Sequence, residues 1–182
     1  MRLALPIAAL AVLAGCAPKD AGPPQASKGP SRRPGLWQET ISRDGKGASM
    51  GDLKICLDRA TDERLGLFGR AAAGAACPRR TVTRLPGGGY AFSSTCMLGK
   101  AGTMVSRGFA QGDFSSSYRI QTDSIVSGAA WPGGNGRHHT VVLAKYLGPC
   151  PSDMAPGDAM MGDLRVNVDR LGAGAAALGI NP

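Results

Sequence analysis

The chain has little of what usually announces an enzyme. Only two histidines occur among its 182 residues, adjacent at His138 and His139. Neighbours on an extended strand point to opposite faces, so this pair is poorly placed to share one metal. There is no GxSxG, HExxH or GxGxxG motif. Gly99-Lys100 is not a phosphate loop, because Ser94 stands where the earlier glycine belongs and Ala101 follows the lysine. No CxxC or close Cys/His spacing supports zinc. The apolar run Leu3 to Leu13 is well short of the ~20 residues that a membrane-spanning helix needs. Lysine and arginine outnumber the acids 21 to 13, giving a net charge of +8. Yet no basic block exceeds two residues and none is interleaved with aromatics, so nucleic acid is not an expected partner. The charges read as a solvated face, or as one that leans on anionic head groups.

What the chain does have is glycine, cysteine and an N-terminal address. Its 27 glycines are about double the usual ~7%, which disfavours long helices and supplies turns. Met1-Arg2, the apolar stretch to Leu13, and then Ala14-Gly15-Cys16 have the form of a secretory signal ending in a lipobox. The expectation is that residues 1–15 are removed and Cys16 is acylated. Two or three acyl chains would then hold the protein stably on a membrane. Ala17, rather than an aspartate, resembles the Gram-negative pattern that sorts lipoproteins to the periplasmic face of the outer membrane. Residues 16–34, with Pro18, Pro23, Pro24, Pro30 and Pro34, read as a lipidated tether. A single β-rich domain is expected over 35–170 and a flexible tail over 171–182.

Within the domain, Gly35 to Ser42 predicts a strand with Trp37, Glu39 and Ile41 on one face, and Leu53 to Leu57 a second strand. Asp58 to Ala76 is the best helix candidate, capped by Asp58 or Thr61, with Leu65 and Phe68 facing the core. Its glycines limit it to one or two turns. From Arg79 a meander follows: Thr81–Leu85, Tyr90–Cys96, Thr103–Gln111, Phe114–Val126 and Arg137–Leu147, with a further short strand at Leu164–Val168. Strands so evenly spaced, joined by glycine turns and lacking helical crossovers, predict a mainly β fold. The expected form is a curved antiparallel sheet or small barrel with one short helix.

With Cys16 assigned to lipid, four cysteines remain, and an even number in an exported chain predicts two disulfides. A hairpin turning at Pro86-Gly87 sets Cys77 opposite Cys96, leaving Cys56 for Cys150; a bulge would move this register by one residue. Other residues carry weaker signals. His138 or His139 beside Asp123 or a serine would suit a general base, against the plainer reading of ordinary strand histidines. Met154, Met160 and Met161 would suit Cu(I), against methionines covering an apolar edge. Trp131 would suit a ligand contact or a plug over an open barrel end.

Arg33-Pro34-Gly35-Leu36-Trp37-Gln38, the strand around Cys56, Cys77, Cys96 and the run Cys150-Pro151 to Met154-Ala155-Pro156-Gly157-Asp158 resemble, in order, the bacterial family known as domain of unknown function 3617. The resemblance spans about Arg33 to Asp158. It implies export and paired cysteines, and it transfers no catalytic, cofactor or metal residue. The expected function is a non-catalytic, monomeric binding or interaction module of the envelope. Its partners would be the membrane, through the lipid, and a small apolar ligand or an envelope protein. The alternatives are an envelope hydrolase using His138 or His139, and a structural component of an outer-membrane assembly.

Overall fold

A computed structural model describes residues 25–26, 28–44, 52–67, 76–131, 133–168 and 170. The signal, Cys16, most of the tether, Phe68 and the 171–182 tail lie outside the described residues. The described chain is mainly β. Its strands are β1 (Gln25–Ala26), β2 (Gly35–Arg43), β3 (Asp52–Leu57), β4 (Ala76–Arg84), β5 (Tyr90–Met97), β6 (Thr103–Gly112), β7 (Ser117–Ser127), β8 (Gly136–Gly148), β9 (Asp158–Met161) and β10 (Leu164–Asn167). All pair antiparallel in one open sheet, in the order β1-β4-β5-β6-β7-β8-β2-β3-β9-β10, in which β1 contributes only two residues.

Alternation along each strand makes one face apolar. Trp37, Ile55, Leu57, Val82, Phe92, Ala110, Tyr118, Ile120, Ala144 and Ala159 meet there with Phe114 in a single core. Trp37 is the centre: fully buried, it packs on Tyr118 and Tyr146 with ring centroids 5.2 and 5.6 Å away, and its Nε1 donates to the Arg33 carbonyl at 2.8 Å. Gly35, at φ +138, leaves the space that the Tyr146 ring fills. The opening Pro-Gly-x-Trp motif is therefore core architecture.

The sheet curls, because α1 (Arg59–Leu65) follows β3 near one edge yet its end meets β4 near the other: Gly66 lies against the Arg80 guanidinium. Asp58 caps this helix, accepting from the Thr61 N–H at 2.7 Å, which lowers the carboxyl pKa. Within the candidate span Asp58 to Ala76 the helix has the two turns its glycines allow. It stops at Gly66, whose φ of +58 suits glycine, and Ala76 already belongs to β4. The chain ahead of Gly35, expected as tether, is held against the domain at Arg32, which is 7% exposed between exposed neighbours.

Further differences have local causes. Phe114, expected to begin a strand, sits in the β6–β7 turn at φ +56, and its buried ring stacks on Tyr118 at 5.7 Å. The segment after Cys150 holds a strand that the sequence reading missed, β9, which hydrogen-bonds to β3. Both disulfides form as expected, Cys56–Cys150 and Cys77–Cys96. The run after Cys150 folds back over β3: Gly157 donates to the Cys56 carbonyl at 2.8 Å and Met154 is buried.

Candidate functional site

The register of five strands lays out the face opposite the core. Thr81, Ser93, Arg107, Asp123 and His139 stand directly across from one another on β4 to β8, forming one polar row. On one side runs Thr83, Ala91 and Phe109; on the other, Thr95, Val105, Ile125 and Arg137. The face is hollowed into a groove of about 980 Å³. Its apolar walls are open to solvent, with Phe109 55%, Ile125 48% and Val105 40% exposed. Large apolar side chains gathered on one exposed face mark a contact surface.

The polar groups of the groove are unequally partnered. His139 Nδ1 lies 2.8 Å from Asp123 Oδ1. The His139 backbone N–H donates to Asp44 Oδ1 at 2.8 Å, and this bond holds the Asp44 carboxyl below its ordinary pKa. His138 Nδ1 adds a longer contact to Asp44 Oδ2 at 3.7 Å. Thr81 and Ser93 hydroxyls bond each other at 2.8 Å. The side chains of Arg107 and Arg137 make no hydrogen bond or ion pair among the described residues. The acids of the groove are thus engaged while two of its cations are not.

His138 and His139 point to opposite faces, as their spacing required. His138 stands across from Ser124, whose hydroxyl bonds Ser106 at 3.0 Å on the core-side face. His139 and Ser93 are three strand spacings apart, about 14 Å. The three methionines do not gather: Met154 is buried, and Met160 and Met161 are neighbours on β9 with opposite facing. Trp131, half exposed, lies against Gly134 of its own loop rather than plugging a barrel. Among the described residues no three His, Cys, Asp or Glu side chains come together as a metal site.

The sequence reading missed a second cluster. Arg32 Nε and backbone N–H donate to the two Asp62 oxygens at 2.6 and 2.9 Å, while its Nη1 lies 3.3 Å from Glu39, which also accepts from the Tyr118 hydroxyl. Burial disfavours the Arg32 charge, but Tyr118, Glu39 and Asp62 together outweigh it and raise the pKa. Burial and then the Glu39 carboxylate push the Tyr118 phenol far above its ordinary range. The available signal was Glu39 on the same strand face as Trp37, a carboxylate that needs a buried partner.

The family described as protein of unknown function (DUF3617) matches residues 32–150, well over half of the chain. The protein belongs to this family. The matched segment carries β2 through β8, and so the whole groove and all four disulfide cysteines; the Met154-to-Asp158 run lies beyond it. No curated protein and no solved structure matches the chain.

Proposed function

We propose that the protein is a lipid-anchored, non-catalytic binding module of the bacterial envelope, held through Cys16 at the periplasmic face of the outer membrane. The observation that carries the binding reading is the groove: exposed apolar side chains flank a polar row, and two arginine side chains, Arg107 in that row and Arg137 beside Ile125 in the next, are unpartnered among the described residues. Such a combination orients a ligand by its polar end and retains it by burying apolar area. Native mass spectrometry of the full protein, released from micelles after purification from its host, tests this. A bound molecule is expected in the wild type and lost in Phe109→Asp; an identical ligand-free mass for both would end the binding reading. The anchor has its own test. Labelled palmitate fed to the host should enter the wild type and not Cys16→Ser, and equal incorporation would refute it.

A second reading, an envelope hydrolase, is favoured by the contiguity of Asp44, His138 and Ser124. In it His138 is the base and Ser124 the nucleophile. It predicts that His138→Ala and Ser124→Ala abolish any turnover of envelope esters equally, with His139→Ala neutral. A structural role in an outer-membrane assembly instead predicts stoichiometric co-purification with that assembly.

A further inference from the structure

We propose that the groove's occupant is a long-chain acyl carboxylate, with its head on Arg107 and Arg137 and its chain over Val105, Ile125 and Phe109; this rests on the binding reading above. Three observations converge on one ligand chemistry. The first is charge. Asp123 is turned to His139 and Asp44 to the His139 N–H and His138, so the groove presents two unpartnered guanidinium groups. Guanidinium forks favour planar anions, which they bind with paired hydrogen bonds. The second is placement. Ile125 stands between Val105 and Arg137 in one row, and Arg107 lies in the adjoining row two strands from Arg137. A head bound by either arginine therefore starts beside apolar wall, and Phe109 continues that wall on the far side of the polar row. The third is length. Val105 and Phe109, four residues apart on β6, stand about 14 Å from each other along the strand, a stretch that only a chain of about twelve carbons or more covers.

Photo-labelling tests the inference on the protein as its host processes it, presented with vesicles of phosphatidylcholine, which carries no net charge, containing diazirine-bearing palmitic acid. Adducts are expected on β6 and β7 at Val105, Phe109 or Ile125. Excess palmitate should remove them and excess hexadecanol, which lacks the charge, should not. Arg107→Gln and Arg137→Gln should each lower labelling about tenfold, the loss of a charge-assisted bond. Arg119→Gln, on the same face but outside the groove, should leave it unchanged. Adducts elsewhere, equal competition by hexadecanol, or full labelling of Arg107→Gln would overturn the proposal. If palmitate fails to label while a different co-purifying molecule is lost in Phe109→Asp, the acyl-carboxylate inference falls and the binding reading stands. If nothing co-purifies either, both fall.

Discussion

Arg32 and Asp62 hold each other twice, through the arginine Nε at 2.6 Å and its backbone N–H at 2.9 Å, with both residues buried. This fastens the chain entering the domain to the first turn of α1. Arg32 is the shared cation of Asp62 and Glu39, so removing it strands two carboxylates away from water, and Arg32→Met should cost about 3–5 kcal/mol. Adding Asp62→Leu should recover part of that loss, because one of the two stranded carboxylates goes, while Glu39 keeps only the Tyr118 hydroxyl. Urea midpoints of the wild type and the two variants check this. A double variant no better than Arg32→Met would show that the geometry of the cluster, and not its charge balance, is what matters.

The two disulfides close loops of very different size. Cys56 and Cys150 are 94 residues apart in sequence, Cys77 and Cys96 only 19. On the chain-entropy account the long closure contributes about 4.7 kcal/mol and the short one about 3.2 kcal/mol. The Cys56→Ala/Cys150→Ala protein should therefore melt below Cys77→Ala/Cys96→Ala. The long bridge also fixes the segment that lays β9 on β3, so its loss should raise amide exchange in β9 and β10 ahead of the rest of the sheet. Thermal scans and hydrogen exchange of the two variants decide the order.

The pairing of Cys77 with Cys96 was legible in the sequence for a reason that is only partly right. Counting from a Pro86-Gly87 turn sets the two opposite. The hairpin in fact closes with Leu85 bonded to Gly89 around Pro86 to Gly88, where Gly88 takes φ +90, and this shifts the register by one: Arg84 faces Tyr90 and Val82 faces Phe92. A bulge between Ala76 and Arg79 shifts it back. Pro78 lies inside that bulge, where a residue without an N–H costs the ladder least. Two departures cancel at the cysteines. Alternation read the faces of β2 and β5 because one side of each is the more buried, whereas β3 buries Ile55, Cys56 and Leu57 in succession and β8 buries only Ala144. Alternation missed β9, whose apolar content is two methionines and an alanine among glycines and prolines, and it placed Phe114 in a strand because a buried aromatic in a turn keeps the same spacing. The groove was invisible for another reason. Thr81, Ser93, Arg107, Asp123 and His139 come from five strands, and only the cross-strand register makes them a row.

Asp113 ties the β6–β7 turn together. Its carboxylate accepts from the backbone N–H groups of Ser115 and Ser116 at 2.7 and 2.6 Å and from both their hydroxyls. The Ser116 hydroxyl, then the backbone N–H groups, push its pKa far below the ordinary carboxylate range. A carboxyl whose folded pKa is depressed adds stability that is complete above its unfolded value of about 3.9 and fades as pH falls toward the folded one. The wild type should therefore lose stability on acidification below about pH 4 more steeply than Asp113→Asn, which should be weaker at neutral pH and flatter in acid. Parallel acid-titration curves of the two proteins would expose the error if their slopes coincide.

Gly108 and Phe92 face each other on β6 and β5, and the ring lies over the glycine on the core side. A Cβ at position 108 would collide with the Phe92 ring and with the Gln121 backbone carbonyl oxygen of β7. The first neighbour is a side chain and can turn; the second is backbone in a hydrogen-bonded ladder and cannot. Gly108→Ala should thus destabilise by about 1–3 kcal/mol, as overpacked sites do. Trimming the ring relieves only one of the two collisions. Phe92→Leu should therefore fail to rescue Gly108→Ala, and the double variant should lose close to the sum of the single losses. Urea melts at constant m-value test this additivity. Rescue by Phe92→Leu would mean that the β6–β7 ladder yields at Gln121, making the floor of the groove a deformable part of the sheet.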